Sequence, residues 1–128
     1  METGDLRLEE RVIELAIQIQ QIPAPTLQES RRAEFVRELF ERERLQDVSV
    51  DEVGNVYGRW STDNRPWSIV HSPSSSPKPL IVSAHLDTVF PAETDLRVRR
   101  EADKVFGPGI GDNSLGVAAL FGLLWGLQ

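Results

Sequence analysis

The stretch Ser83-Ala84-His85-Leu86-Asp87-Thr88-Val89 decides the fold, and it continues the apolar run Leu80-Ile81-Val82. A short, continuous apolar segment bounded by prolines is typical of a strand that is buried on both faces, so we predict such a strand over 80–86. Residues two apart on a strand share a face and lie roughly 6.6 Å apart. His85 and Asp87 therefore project together near the carboxyl end of the strand, where open α/β sheets bind ligands.

A second motif, Gly107-Pro108-Gly109-Ile110-Gly111-Asp112-Asn113, follows a predicted short strand at 104–106 and precedes a predicted helix at 114–127. Glycines tolerate positive φ and close backbone approach, so this loop can fold tightly and present Asp112 at the helix entrance. A carboxylate there reaches a metal held by His85. Neutral imidazole with carboxylates is a ligand set that suits Zn²⁺ or Mn²⁺. The two motifs together predict a metal site.

Two other interpretations of these motifs stay open. In the first, His85 is a core histidine bonded to a backbone carbonyl, Asp87 caps a turn, and Asp112 or Asn113 only caps the helix. In the second, the glycine loop is a dinucleotide-binding fingerprint. Asp112 replaces the final glycine of that fingerprint, Pro108 lacks an N–H donor, and the loop comes late in the chain rather than in a first βα unit. The metal site is favoured over both.

The stretches SAHLDTVFP (83–91) and GPGIGDNSLGVAAL (107–120) resemble the di-zinc exopeptidase and deacylase family. This family includes acetylornithine deacetylase, succinyl-diaminopimelate desuccinylase, aminoacylase, peptidase T and carboxypeptidase G. The resemblance implies that His85 ligates one metal and that Asp112 bridges two metals. It also implies that Asp87 is a catalytic-site carboxylate, which orients the metal site at His85. It further implies a cis peptide bond between Asp112 and Asn113.

From this resemblance we expect an α/β fold, a three-layer α/β/α architecture with a mixed sheet, of which residues 1–128 are the N-terminal portion of the catalytic domain. The implied activity is hydrolysis of peptide or N-acyl amide bonds with two Zn²⁺ ions, for which Mn²⁺ or Co²⁺ can substitute. The substrate would be a peptide or an N-acyl amino acid.

The family draws its general base and further metal ligands from a Glu-Glu pair and later residues. Here Glu101 is the last Glu, and the only other His is His71, which we predict to be a surface residue. The 128 residues are therefore expected to be a truncated domain without activity of their own. The alternative is a non-catalytic metal-binding or interaction module.

Composition and charge limit the partners, bonds and cellular locations that the protein can have. The net charge of −6 and the pI of about 4.9 argue against nucleic acid as a partner. The absence of cysteine excludes disulfides and thiolate metal sites. The N-terminus does not look like a signal peptide, and no apolar run approaches the roughly 20 residues of a membrane span. We therefore expect a cytoplasmic protein without membrane contact, in which the nearly apolar last helix favours association into homo-oligomers.

Periodicity predicts the first two helices. Apolar residues recur at helical spacing between Leu8 and Ile19, and the prolines at 23 and 25 end that helix. Thr26 is predicted to cap the second helix, with Glu29 completing a capping box. The apolar stripe of this helix is predicted to contain Ala33, Val36, Leu39 and Phe40. Its charged, solvated face is predicted to contain Arg31, Arg32, Glu34, Arg37, Glu38, Glu41 and Arg42.

Two hairpins and a loop complete the prediction. Alternating residues at 48–53 and 56–60 flank a Gly54-Asn55 turn, which is typical of an antiparallel hairpin. Residues 96–99 are predicted to form an edge strand that turns back at 101–104 toward the glycine loop. The Ser/Pro-rich stretch 72–79 is predicted to be an exposed loop.

Overall fold

The computed structural model describes residues 2–61 and 78–128. In chain order the elements are α1 (Glu2–Gln20), α2 (Ser30–Arg42), β1 (Gln46–Val50), β2 (Val56–Arg59), β3 (Arg99–Glu101), β4 (Lys104–Phe106) and α3 (Leu115–Leu127). A distorted helical turn, Ile110–Ser114, leads directly into α3. The predictions for His71 and for the part of the loop at 72–77 lie outside the described residues.

The described strands form two separate antiparallel hairpins. β1 pairs with β2, with Val50 opposite Val56, and β3 pairs with β4, with Arg100 opposite Val105. Both predicted hairpins are confirmed with shifted bounds, since β1 spans Gln46–Val50 rather than 48–53 and β3 spans Arg99–Glu101 rather than 96–99. Two small sheets do not test the predicted three-layer α/β/α architecture, which stays a prediction.

The core lies between the helices, as their periodicity predicts. Phe121 of α3 is 1% exposed, and its ring centroid lies 5.4 Å from that of Phe40 and 6.1 Å from that of Trp125. The guanidinium carbon of Arg11 lies 3.7 Å from the Trp125 ring centroid, which ties α1 to α3 by a cation–π contact. The buried cluster comprises Leu15, Ala16 and Ile19 of α1, Val36 of α2, and Val117, Ala118 and Phe121 of α3.

The prediction of a fully buried strand at 80–86 is wrong, because these residues form no strand and none of them is fully buried. Leu80, Ile81 and Val82 are 88%, 85% and 51% exposed, and residues 78–87 have no regular secondary structure. Among the residues that the structure describes, the β-type pairing of this region is a parallel bridge between Thr88 and Pro25. An apolar run is buried only where other elements cover both of its faces, and from this run Ala84 and Leu86 are the residues that pack against the described core.

Two predictions for α2 are also wrong. Glu29 occupies the N-cap position without a side-chain cap hydrogen bond, so Thr26 and Glu29 form no capping box. Arg32 is 2% exposed and belongs to the buried face, not to the solvated one. On the opposite, solvated face Arg37 forms ion pairs with both Glu34 and Glu41 at 2.5 Å.

One described segment, Ile110–Leu127, meets the length and hydropathy of a membrane span, with 18 residues and a mean hydropathy of 1.3. Length and composition alone are weak evidence, because core helices meet the same criteria. The regular helix begins only at Leu115 and has 13 residues, which corresponds to about 20 Å against the roughly 30 Å of a bilayer core. Its buried residues, among them Val117 and Phe121, belong to the helical core.

Candidate metal site

The His85 ring lies between two carboxylates. Its Nε2 is 3.0 Å from Oδ1 of Asp112, and its Nδ1 is 3.1 Å from both Oδ1 and the backbone oxygen of Asp87. The side chains of His85, Asp87 and Asp112 are 52%, 33% and 79% exposed. The structure thus brings together all three residues that the sequence singles out.

Asp87 is itself held from the segment that precedes α2. The hydroxyl of Thr26 donates a 2.6 Å hydrogen bond to Oδ2 of Asp87. The backbone N–H of Thr88 donates to the carbonyl of Ala24 at 2.9 Å, which fixes the two segments side by side. One carboxylate oxygen of Asp87 therefore faces Thr26, while the other faces the His85 ring.

This arrangement selects a tautomer of His85. Both oxygens of Asp87 near Nδ1 are acceptors, so Nδ1 carries the proton in the neutral ring. The lone pair of Nε2 then points toward the Asp112 carboxylate, which is also an acceptor. Two hydrogen-bond acceptors that face each other, here Nε2 and the Asp112 carboxylate, are joined either by a proton on Nε2 or by a cation between them.

The spacing suits either a hydrogen bond or a shared cation. Two atoms that each lie about 2.0–2.1 Å from a tetrahedral zinc ion are about 3.3 Å from each other. The observed separation of 3.0 Å between His85 Nε2 and Asp112 Oδ1 is close to that value. Within 2–61 and 78–128, however, no group of three or more His, Cys, Asp or Glu side chains is arranged to hold a metal. The described residues supply two ligands, and catalytic zinc sites take three from the protein.

The hydrogen bonds of His85 and Asp87 shift the pKa of each residue toward its charged form. Burial acts to lower the pKa of His85, but the hydrogen bonds to Asp87 and Asp112 outweigh it, and the net pKa is raised. The pKa of Asp87 is lowered, chiefly by the hydrogen bond from Thr26; burial opposes this shift, and the hydrogen bond from His85 adds to it. Asp87 is therefore ionised at neutral pH, as a partner of a metal-binding imidazole must be.

The glycine loop carries Asp112 to the His85 ring. Gly109 has φ of 75°, and a Cβ on it would lie 3.1 Å from Oγ1 of Thr88, so the loop passes close over that residue. The expected cis peptide bond between Asp112 and Asn113 is confirmed. The side-chain amide of Asn113 donates to the carbonyl of His85 at 3.5 Å and so joins the loop to the His85 segment.

Sequence reasoning missed two buried side chains behind the site. The Gln20 amide donates to the carbonyls of Pro108 and Leu96 at 3.0 and 3.1 Å, which anchors the glycine loop to the end of α1. Arg32 donates to the carbonyls of Ile22 and Leu86. A signal for Arg32 was present, because it lies four residues before Val36 and hence on the inward face of α2.

A small cavity of about 150 Å³ adjoins the Asp87 side of the site. It separates the His85 segment from the turn between β1 and β2 and from the start of α2. Its lining residues are Glu29, Val53, Gly54, Asn55, Ala84, His85, Leu86 and Asp87. The first hairpin therefore lines the cavity next to the site, although we predicted none of its residues to lie there.

Comparison with known proteins finds a family whose model matches part of the chain. Residues 67–128 match the model of peptidase family M28. The peptidases of this family are typically zinc-dependent. The matched stretch contains both motifs, and with them His85, Asp87 and Asp112. No curated protein matches the chain. The match supports a metal-dependent peptidase, and it does not extend to the deacylases that the motifs also resemble.

Proposed function

We propose that this chain is part of the catalytic domain of a di-zinc hydrolase that cleaves peptide or N-acyl amide bonds. The single observation that supports this most strongly is the position of Asp112, whose carboxylate faces Nε2 of His85 at 3.0 Å although 27 residues separate the two. The match of residues 67–128 to a peptidase family supports it independently.

His85 and Asp112 would hold zinc, and further ligands would come from outside the described residues. A bound zinc ion supplies Lewis acidity that polarises the carbonyl of the scissile amide. Asp87 keeps the proton of the His85 ring on Nδ1, so that Nε2 is free to bind. Thr26 holds the Asp87 carboxylate in the orientation that this requires.

The exposure of Asp112 is consistent with a bridging role. One of its oxygens faces His85, and 79% of its side chain is exposed, so the second oxygen is free for another ligand partner. A carboxylate that binds two metals needs both oxygens accessible. Asp87, by contrast, has both oxygens engaged by Thr26 and His85, which suits an orienting role rather than metal ligation.

A second function, a non-catalytic metal-binding or interaction module, is favoured by one observation. Among residues 2–61 and 78–128, no third ligand converges on His85 and Asp112. A site with two protein ligands binds zinc weakly and does not fix the coordination geometry that catalysis requires.

Calorimetric titration with Zn²⁺ at neutral pH tests the metal site. We expect weak binding, with a dissociation constant above about 1 μM, that is lost in His85→Ala and in Asp112→Asn. Asp103→Asn, which alters an exposed carboxylate in the turn between β3 and β4, is the matched control and should bind as the wild type does. Equal binding by all four proteins would contradict the assignment. Hydrolysis of a dipeptide or of an N-acyl amino acid by the complete enzyme distinguishes the two substrate classes.

A further inference from the structure

Arg32 is a buried cation whose hydrogen bonds all run to the backbone. Its Nε and Nη2 donate to the carbonyl of Ile22 at 3.1 and 2.6 Å, and its Nη1 donates to the carbonyl of Leu86 at 2.7 Å. The residue is 2% exposed. Burial of a charge is costly unless the surroundings compensate for it, so a guanidinium at this position needs a reason beyond packing.

The two carbonyls belong to the two segments that hold Asp87. Leu86 lies between His85 and Asp87, so a bond to its carbonyl fixes the backbone from which both side chains project. Ile22 begins the proline-containing break that ends at Thr26, and Thr26 donates to Asp87. The planar fork of Arg32 spans both segments, which a lysine ammonium on its flexible stem does not do.

Electrostatics also connect Arg32 with Asp87. Burial lowers the pKa of Arg32, and the negative charge of Asp87 opposes that shift. This attraction places the positive charge of the guanidinium near the Asp87 carboxylate. A guanidinium retains its proton even when it is buried, and the charge is therefore permanent.

We propose that Arg32 is a positioning residue for the metal site, which joins the Ile22 and Leu86 carbonyls so that Asp87 faces Nδ1 of His85 and Nε2 faces Asp112. The inference rests on the proposed function insofar as it concerns zinc. Its structural part, the orientation of the His85 ring, holds without metal.

Zinc affinity in a double-mutant cycle tests the proposal. Arg32→Lys keeps the charge but loses the fork, and we expect it to weaken Zn²⁺ binding about tenfold, within the range for groups that orient metal ligands. Arg31→Lys, at the exposed neighbouring position, is the matched control and should bind as the wild type does. In an Asp87→Asn background, Arg32→Lys should change the affinity less than twofold, because Arg32 acts through Asp87. Equal effects of Arg32→Lys in both backgrounds would overturn the proposal.

The ¹⁵N resonances of the His85 ring give a readout that general destabilisation does not change. The folded wild type should show the tautomer with the proton on Nδ1, and folded Arg32→Lys should show a mixture of the two tautomers. An unchanged tautomer in the variant would overturn the proposal. If the wild type binds no zinc, the proposed function fails, while the tautomer of Arg32→Lys still tests the positioning role.

A measurement on the wild type covers the case in which Arg32→Lys does not fold. The Nη1–H resonances of Arg32 should shift on titration with Zn²⁺, because Nη1 donates to the carbonyl of Leu86, which lies between His85 and Asp87. A resonance that stays in place at saturating zinc would show that Arg32 supports the fold only, and would overturn the proposal.

Discussion

At the level of single residues, the His85 ring is oriented by a chain of hydrogen bonds rather than by packing. Thr26 holds Asp87, Asp87 accepts from Nδ1, and Nε2 is left to face Asp112. More than half of the His85 side chain is exposed, at 52%, so the surrounding apolar residues do not fix the ring. Loss of any hydrogen bond in the chain should therefore affect the metal more than the fold.

Thr26→Val tests this at one atom, because it removes the hydroxyl and keeps the shape. We expect a zinc affinity about tenfold weaker than that of the wild type, with little change in the unfolding free energy. Thr26→Ser retains the hydroxyl and should bind zinc as the wild type does. Calorimetry and urea unfolding measure the two quantities, and a Val variant with wild-type zinc affinity would show that Asp87 needs no support from Thr26.

The two motifs predict His85, Asp87 and Asp112 as one site, and the structure brings them together although the strand expected for the first motif does not form. Their supporting residues could not be predicted in the same way. Thr26, Arg32 and Gln20 act on residues that are 61, 54 and 88 positions away in the chain. Local patterns describe neighbours within a turn or a strand, so they predict a helix cap at Thr26 and a surface charge at Arg32.

At the level of elements, the first hairpin is organised by Asp51. Its Oδ1 accepts from the backbone N–H groups of Val53 and Asn55 at 3.0 and 2.9 Å, and its Oδ2 accepts from the Asn55 amide and the Tyr57 hydroxyl at 2.9 and 3.1 Å. The side-chain hydrogen bond from Asn55 contributes most to lowering the pKa of Asp51 below its ordinary value of 3.8.

This lowered pKa predicts the direction of an acid effect. A carboxyl whose pKa is lower in the folded state stabilises the fold above the unfolded-state pKa, and that stabilisation is lost as the pH falls through the folded-state value. Asp51→Asn removes the titrating group, so its unfolding free energy should fall less steeply than that of the wild type as the pH decreases from about 5 to about 2. Parallel curves in urea unfolding at several pH values would contradict the prediction.

The start of α3 depends on a glycine that accommodates Asn113. A Cβ at Gly116 would overlap the Asn113 side chain, with Cγ at 2.6 Å and Nδ2 at 2.7 Å. Gly→Ala in a helix ordinarily stabilises by about 0.8–1.0 kcal/mol. We expect Gly116→Ala to destabilise instead, because Asn113 must leave its position next to His85.

Gly126 provides the control for that substitution. It lies in the same helix, and a Cβ there has nothing within 4 Å. Gly126→Ala should therefore be neutral or stabilising by up to about 1 kcal/mol, less than in a helix interior because the helix ends at Leu127. Urea unfolding of both variants measures the difference, and equal unfolding free energies would contradict a special role for Gly116.

The helices and hairpins themselves could be predicted, and the structure of the segment at 80–86 could not. Helical period and turn residues are local properties, and they correctly indicate α1, α3 and both hairpins. Burial of an apolar run depends on which other elements cover it. Leu86 packs against the core whereas Leu80 is 88% exposed, and nothing in the sequence of the run distinguishes these two leucines.

At the level of the whole molecule, α3 connects the core to the site, because its buried face packs on α1 and its N-terminus follows Asp112. Phe121→Ala should cost about 3–5 kcal/mol, a large part of the stability of a small domain. Leu123→Ala, at a residue that is 49% exposed on the same helix, is the control and should cost much less. Urea unfolding measures both, and similar losses would contradict the assignment of the core to the α1–α3 interface.

The central claim is that His85 and Asp112 bind the same zinc ion, and a zinc-soaked crystal measured at the zinc absorption edge tests it most directly. We predict an anomalous peak about 2.0–2.2 Å from both His85 Nε2 and an Asp112 carboxylate oxygen, with Asp87 still on Nδ1. A zinc ion bound through Nδ1 of His85, or bound at residues other than this pair, would contradict the account.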